Sequence, residues 1–131
     1  GTAQESHIRE LMRRFDGQVV DGSIFGVSGQ VTLPKFDQVS EYLSPDGQVQ
    51  LDAVGQAASG VKWIVEVKWR NKRVGKKELG RLLAHAKAES AQGWFVSRAG
   101  FTDEAVEFAR KEGLFYSDGQ TIHALQILLR K

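Results

Sequence analysis

The chain contains no cysteine, which excludes disulfides, thiolate metal centres and covalent cysteine catalysis. No apolar run approaches the ~20 residues needed to cross a membrane. The N-terminus lacks the basic-then-apolar pattern of a secretory signal. These absences agree with a cytoplasmic protein that has no membrane partner. Repeats, low-complexity tracts and linkers are missing too. With 131 residues the chain suits one domain with a full core rather than two, so residues 1–131 read as a single unit. His7, His85 and His123 lack zinc-ligand spacing and read as ordinary surface or core histidines. Gly26-Val27-Ser28-Gly29 is one residue short of a nucleophile elbow. Gly22, Gly26 and Gly29 are not followed by the Gly-Lys-Ser/Thr of a phosphate-binding loop.

Charge of one sign is also scarce overall, the formal net charge being +2. Its distribution carries more information than its total. From Lys68 to Lys77 there are six basic residues, Lys68, Arg70, Lys72, Arg73, Lys76 and Lys77, and no acid. The rest of the chain therefore sums to about −4 by formal count. A local positive patch on a nearly neutral protein suits contact with an anionic partner. A solvated lysine-rich loop is the plainer alternative for a charge run alone.

Apolar spacing locates the elements. Ile8, Leu11, Met12 and Phe15 recur at helical intervals, predicting a helix over residues 4–15 that ends at Asp16-Gly17. Residues 19–33 are Gly-rich and alternating, compatible with a short strand or a loop excursion. Three strands follow over residues 36–43, 49–54 and 61–69, separated by the Ser44-Pro45-Asp46-Gly47 turn and a second turn at residues 55–60. The period then changes. Leu79, Leu82, Leu83 and Ala86 predict a helix over residues 75–91, and residues 93–97 read as a short apolar strand. Residues 102–112 form a helix punctuated by Thr102 as N-cap, acids in the first turn, bases in the last, and Gly113 beyond. A strand over residues 114–116 and a closing helix over residues 121–130 complete the order α-β-β-β-α-β-α-β-α. That succession predicts an α/β fold whose mixed central sheet is flanked by helices.

Strand alternation puts Glu66 and Lys68 on one face, two residues apart. A hairpin loop centred near residue 59 brings Asp52 opposite Glu66 on the neighbouring strand, where partners lie about 5 Å apart at Cβ. Two carboxylates and an ammonium at one spot in a sheet are costly unless something compensates. A hard divalent cation is the natural compensation, and Mg²⁺ takes only one or two protein carboxylates. Such a cation activates water and offsets charge developing on a phosphoryl group. Lys68 would orient or deprotonate the water, or offset phosphate charge. The chemistry is phosphodiester hydrolysis. The plainer alternative is a surface Glu66–Lys68 ion pair, which the apolar Ile64, Val65, Val67 and Trp69 beside it disfavour.

Asp52, thirteen residues, then Glu66-Val67-Lys68 resembles the signature of the PD-(D/E)xK superfamily, and within it the Mrr-like and Holliday-junction-resolvase-like branches. Residues 74–79 (Val-Gly-Lys-Lys-Glu-Leu), 93–97 (Gly-Trp-Phe-Val-Ser), 100–105 (Gly-Phe-Thr-Asp-Glu-Ala) and the Asp118-Gly119 turn are similar as well. The likeness spans residues 36–130. It implies the restriction endonuclease-like fold, a Mg²⁺-dependent DNA endonuclease with Mn²⁺ as a substitute, and Asp52 and Glu66 as metal ligands. It also implies a glutamate from the first helix, for which Glu5 is the candidate, Glu10 pointing away from the apolar stripe. A capping box starting at Thr2 is the rival role for Glu5. Two departures stand out: Leu51 precedes Asp52 where the family often has proline, and Glu66 occupies a position often glutamine in the Mrr branch.

The basic patch gains meaning beside such a site. Arg70, Lys72, Arg73, Lys76 and Lys77 would meet a nucleic-acid backbone. Lys76 and Lys77 sit in a helix first turn, where the macrodipole disfavours cations unless a phosphate is held there. Trp69 suits the core or its rim better than a stacked base. The alternative function is a catalytically inactive nucleic-acid-binding or scaffold module. The abrupt helical start and small size fit a nuclease domain excised from a larger protein, and homodimerisation is left open.

Overall fold

The computed structural model describes residues 2–130. Its elements are α1 (Thr2–Arg13), β1 (Val19–Asp21), a 3-10 turn (Gly22–Phe25), β2 (Gln30–Thr32), β3 (Gln38–Leu43), β4 (Gln50–Gln56) and β5 (Lys62–Lys68). They continue with α2 (Lys76–Ala88), β6 (Gln92–Ser97), α3 (Asp103–Glu112), β7 (Phe115–Ser117) and α4 (Gly119–Leu128). Five strands form one mixed sheet in the order β3-β4-β5-β6-β7, with β3, β4 and β5 antiparallel and β5, β6 and β7 parallel. Short turns join the antiparallel strands and helices join the parallel ones, as connection length requires. The expected order is thus observed, with the region that the sequence left open supplying a separate β1–β2 hairpin.

Burial explains the layering. On β5, Trp63, Val65 and Val67 face one way, into a core with Ile8, Leu11, Met12 and Phe15 of α1 and Ile122 and Leu125 of α4. Ile64 faces the other way, into a second core with Leu79 and Leu82 of α2 and Ala105 and Ala109 of α3. A strand buried on both faces reads as a continuous apolar run, which is why residues 61–69 look β-rich rather than alternating. Trp63 centres the first core, its ring 5.3–5.9 Å from those of Phe15, Phe25, Phe36, Trp94 and Phe115. Each such pair contributes about 0.5–1.5 kcal/mol beyond area burial.

The β1–β2 hairpin is tied to the sheet from the side. Phe25 is fully buried beside Trp63, and Ser117 Oγ donates to the Ile24 carbonyl at 2.6 Å while accepting Trp94 Nε1–H at 2.8 Å. Asp118 caps α4 in a reciprocal capping box with Thr121, so α4 begins two residues earlier than apolar spacing suggests. Thr102 and Gly113 bound α3 as expected. No helix among the described residues is long and apolar enough to cross a membrane.

Candidate active site

The β4–β5 ladder pairs Ala53 with Val65, a register that projects Asp52 opposite Glu66, one step beyond the last paired residues. A bulge lies at that place. Ser40 pairs with Val54 but Tyr42 with Leu51, leaving Asp52 and Ala53 together opposite Glu41. Bulges bend a strand and redirect its side chains. Here Asp52 Oδ2 turns into the gap and accepts the Val67 N–H at 2.7 Å, taking the place of a ladder carbonyl. The freed Asp52 carbonyl receives Arg9 Nη1–H from α1 at 2.7 Å. Both backbone groups that the bulge unpairs are therefore satisfied, as buried polar groups must be.

Three carboxyls meet in this gap. Asp52 is only 7 % exposed, and the carboxyl of Glu5 of α1 lies within reach of a hydrogen bond to it when one of the two holds a proton. The Thr2 side chain, on which the rival capping role of Glu5 depends, lies outside the described residues. Burial pushes the Asp52 carboxyl up to about 7; Glu5 adds to the rise, the Val67 N–H opposes it, and the charge of Glu66 adds again. Burial raises Glu66 as well, opposed by Lys68, reinforced by Glu5 and opposed by Arg81. Lys68 Nζ stands 3.6 Å from Glu66 Oε1, both side chains partly exposed. Glu66 and Lys68 open into a groove of about 400 Å³ beneath α2.

That donor set fits Mg²⁺. The ligands are hard oxygens with excess negative charge, and one or two of them suffice because water fills the remaining positions. Among the described residues no three His, Cys, Asp or Glu side chains stand as a ligand cluster; Asp52 and Glu66 are the carboxyls that could hold an ion here. A bound cation would also offset the like-charge repulsion that burial worsens.

The basic residues separate into two groups. Arg70 is engaged, its Nη2 lying 2.9 Å from both carboxylate oxygens of Glu78, and it lines the groove. Lys72, Arg73, Lys76 and Lys77 are exposed. Lys76 Nζ lies 5.6 Å from the centre of the Phe108 ring, while Gly75 caps α2 without a side-chain bond. Trp69 packs against the first core. Sequence reasoning missed Arg9, Gln50, Arg81 and His85, the last three lining the groove with Glu66. The signal for two of them was present: Glu78, Arg81 and His85 are spaced by three and four, one polar stripe beside the apolar stripe of α2.

Comparison with known proteins shows the family and the fold. The profile of the Mrr-type catalytic family, described as restriction endonuclease, matches residues 34–126. The chain belongs to this restriction endonuclease family. Its fold is shared with the modification-dependent restriction endonuclease AspBHI (TM-score 0.63, 18% identity, 94% of this chain and 30% of that one). It is shared with MspJI, solved with a 27-mer oligonucleotide (TM-score 0.53, 13% identity, 98% of this chain and 31% of that one). EndoMS in its apo form is similar too (TM-score 0.51, 18% identity, 65% of this chain and 38% of that one). The chain thus spans well under half the length of these three structures. No curated protein matches it.

Proposed function

We propose that this domain is a divalent-metal-dependent DNA endonuclease that hydrolyses phosphodiester bonds. The carrying observation is the convergence of Glu5, Asp52 and Glu66 at the bulge with Lys68 beside them. A scaffold gains nothing from a buried Asp52 with two further carboxyls beside it, whereas a cation site uses such a concentration of negative charge. Family membership supports the reaction class, and MspJI, of the same fold, was solved with an oligonucleotide.

Asp52 and Glu66 would hold Mg²⁺, or Mn²⁺ in its place, and the ion supplies water activation and charge neutralisation on the phosphoryl group. Glu5 acts through its hydrogen bond with Asp52, fixing the direction of that carboxyl. Arg9 holds the bulge from behind. Lys68 brings three donors to the mouth of the groove, where it orients the attacking water and stabilises the charge gathering on phosphate oxygens. The water oxygen bonds to phosphorus and gives up a proton, the bond to the leaving sugar oxygen breaks, and that oxygen takes up a proton in turn. Arg81 and Arg70 add positive charge along the groove, while Lys72, Lys76 and Lys77 meet the backbone outside it. Residues 1–131 act in this reading as one nuclease domain.

Supercoiled plasmid incubated with the protein and Mg²⁺ or Mn²⁺ tests the reading. Nicked and linear forms should appear with either ion and be absent in EDTA. Salt-sensitive DNA binding with no cleavage under either ion would favour the inactive binding module instead.

A further inference from the structure

On the far side of the basic loop lies a cleft of about 920 Å³, which the hydrolytic site does not use. One wall is the excursion between β1 and β2, through Ser23, Gly26 and Ser28. The opposite rim is the turn after β6, at Ala99 and Gly100, and Arg73 and Arg110 reach it from the basic loop and α3. It sits beyond the carboxyl ends of the parallel strands, where open α/β sheets bind their ligands. Backbone bonds tie its surroundings to the strand that carries Glu66 and Lys68. Arg98 N donates to the Lys68 carbonyl at 3.1 Å, and Gly119 N donates to the Arg98 carbonyl at 3.3 Å. Val74 bridges to Phe101 in parallel pairing, which fixes Arg73 at the cleft rather than leaving it on a free loop.

The lining has a definite chemistry. Neither Arg73 nor Arg110 has a carboxylate partner among the described residues. Arg110 Nε donates to Tyr116 Oη at 3.2 Å, leaving the terminal nitrogens for another acceptor. Asp118, the one acid in the lining, is committed to Thr121 as the α4 cap. Partly buried Phe101, Val106 and Tyr116 give the floor an apolar character. Two arginines over such a floor suit a ligand with a phosphate at one end and a flat, weakly polar body at the other. The volume lies in the range of small-ligand pockets.

We propose that this cleft is a nucleotide subsite. It takes one unstacked nucleotide of the DNA strand, phosphate on Arg73 and Arg110 and base on the floor. The inference rests on the nuclease reading for its source of nucleotide, and it gives the β1–β2 excursion a purpose as the wall of the subsite. Base contact with aromatic and arginine side chains is sequence-tolerant, so the subsite would favour distorted or unpaired positions over particular sequences.

The test is a binding measurement in EDTA, independent of cleavage. Fluorescence anisotropy compares a duplex carrying one bulged nucleotide with a fully paired duplex of equal length, with deoxyadenosine monophosphate as competitor. The bulged duplex should bind about tenfold tighter. Ser28→Trp, which fills the cleft from an exposed loop, should make the two equal, and Arg110→Gln should do most of the same without touching the loop. Competition by the mononucleotide that Ser28→Trp abolishes, with no preference for the bulge, would keep the nucleotide chemistry but overturn the strand as its source. Equal binding of both duplexes, no competition and no effect of either variant would overturn the subsite, while plasmid nicking would still report separately on the nuclease reading.

Discussion

Replacing Asp52 by asparagine should stabilise the metal-free protein at alkaline pH while removing a proposed metal ligand. A carboxyl whose value is raised on folding binds its proton more tightly in the folded chain. Its stabilising contribution is full below its ordinary 3.8 and is lost as pH rises through about 7. At about 1.4 kcal/mol per pH unit, ionising Asp52 at pH 8 costs the folded state about 4 kcal/mol as an upper figure. In Asp52→Asn the amide keeps an oxygen for the Val67 N–H and offers an N–H to Glu5, so the gap stays filled. Thermal unfolding followed by circular dichroism in EDTA, from pH 4 to pH 8, reads the difference. The variant should exceed the wild type by about 2–4 kcal/mol at pH 8, about 10 °C in Tm for a domain of this size, and lose most of that advantage near pH 4. Saturating Mg²⁺ should then raise the wild-type Tm and leave the variant unmoved. A variant less stable than wild type at pH 8, by the same margin as at pH 4, would refute the argument that burial and the neighbouring carboxyls disfavour the charge.

Other consequences follow from the same structure. Ser117→Ala leaves the Ile24 carbonyl and Trp94 Nε1–H without their buried partner; urea unfolding should show a loss of about 2–3 kcal/mol, and a loss within error of zero would contradict the bond. Gly26 has φ 75° and packs on the Tyr116 ring, so Gly26→Ala should cost about 2 kcal/mol or more in the same measurement. Lys72→Ala combined with Lys77→Ala should lower the slope of log K against log salt by about 2, close to 0.9 per lost phosphate contact; an unchanged slope would remove these lysines from the interface. Cleavage of a mixed-sequence plasmid by the domain alone should give a smear of positions, and discrete bands would show built-in sequence preference.

Much of this was legible because the chain changes period. Alternation in β3 and β4 and the apolar run of β5 give way to the spacing of Leu79, Leu82 and Ala86, which separates an antiparallel half from a parallel one. The length of the turn after β4 set the register and so placed Asp52 opposite Glu66. What local pattern could not convey is how Asp52 reaches its neighbours. The bulge depends on how β3 lies against β4, and the alternation of residues 49–53 runs through it unbroken although Leu51, Asp52 and Ala53 are all buried. Arg9 looks like any charged residue on the flank of α1 until its contact with the Asp52 carbonyl, 43 residues away, is made. Residues 19–33 were ambiguous because their short strands are held by tertiary contacts, Phe25 against Trp63 and Ile24 on Ser117, rather than by a long apolar pattern. His85 was discounted for want of zinc spacing, a criterion that says nothing about a position facing the groove.

The central claim is that the Glu66–Lys68 strand and Asp52 form a hydrolytic site, and one comparison tests it most directly. Supercoiled plasmid is incubated in Mg²⁺ with wild type, Lys68→Ala and Glu66→Gln, each verified as folded by circular dichroism. The account predicts nicking by wild type and a loss of at least a hundredfold in rate for both variants. Nicking at the wild-type rate by folded Lys68→Ala and Glu66→Gln would contradict it.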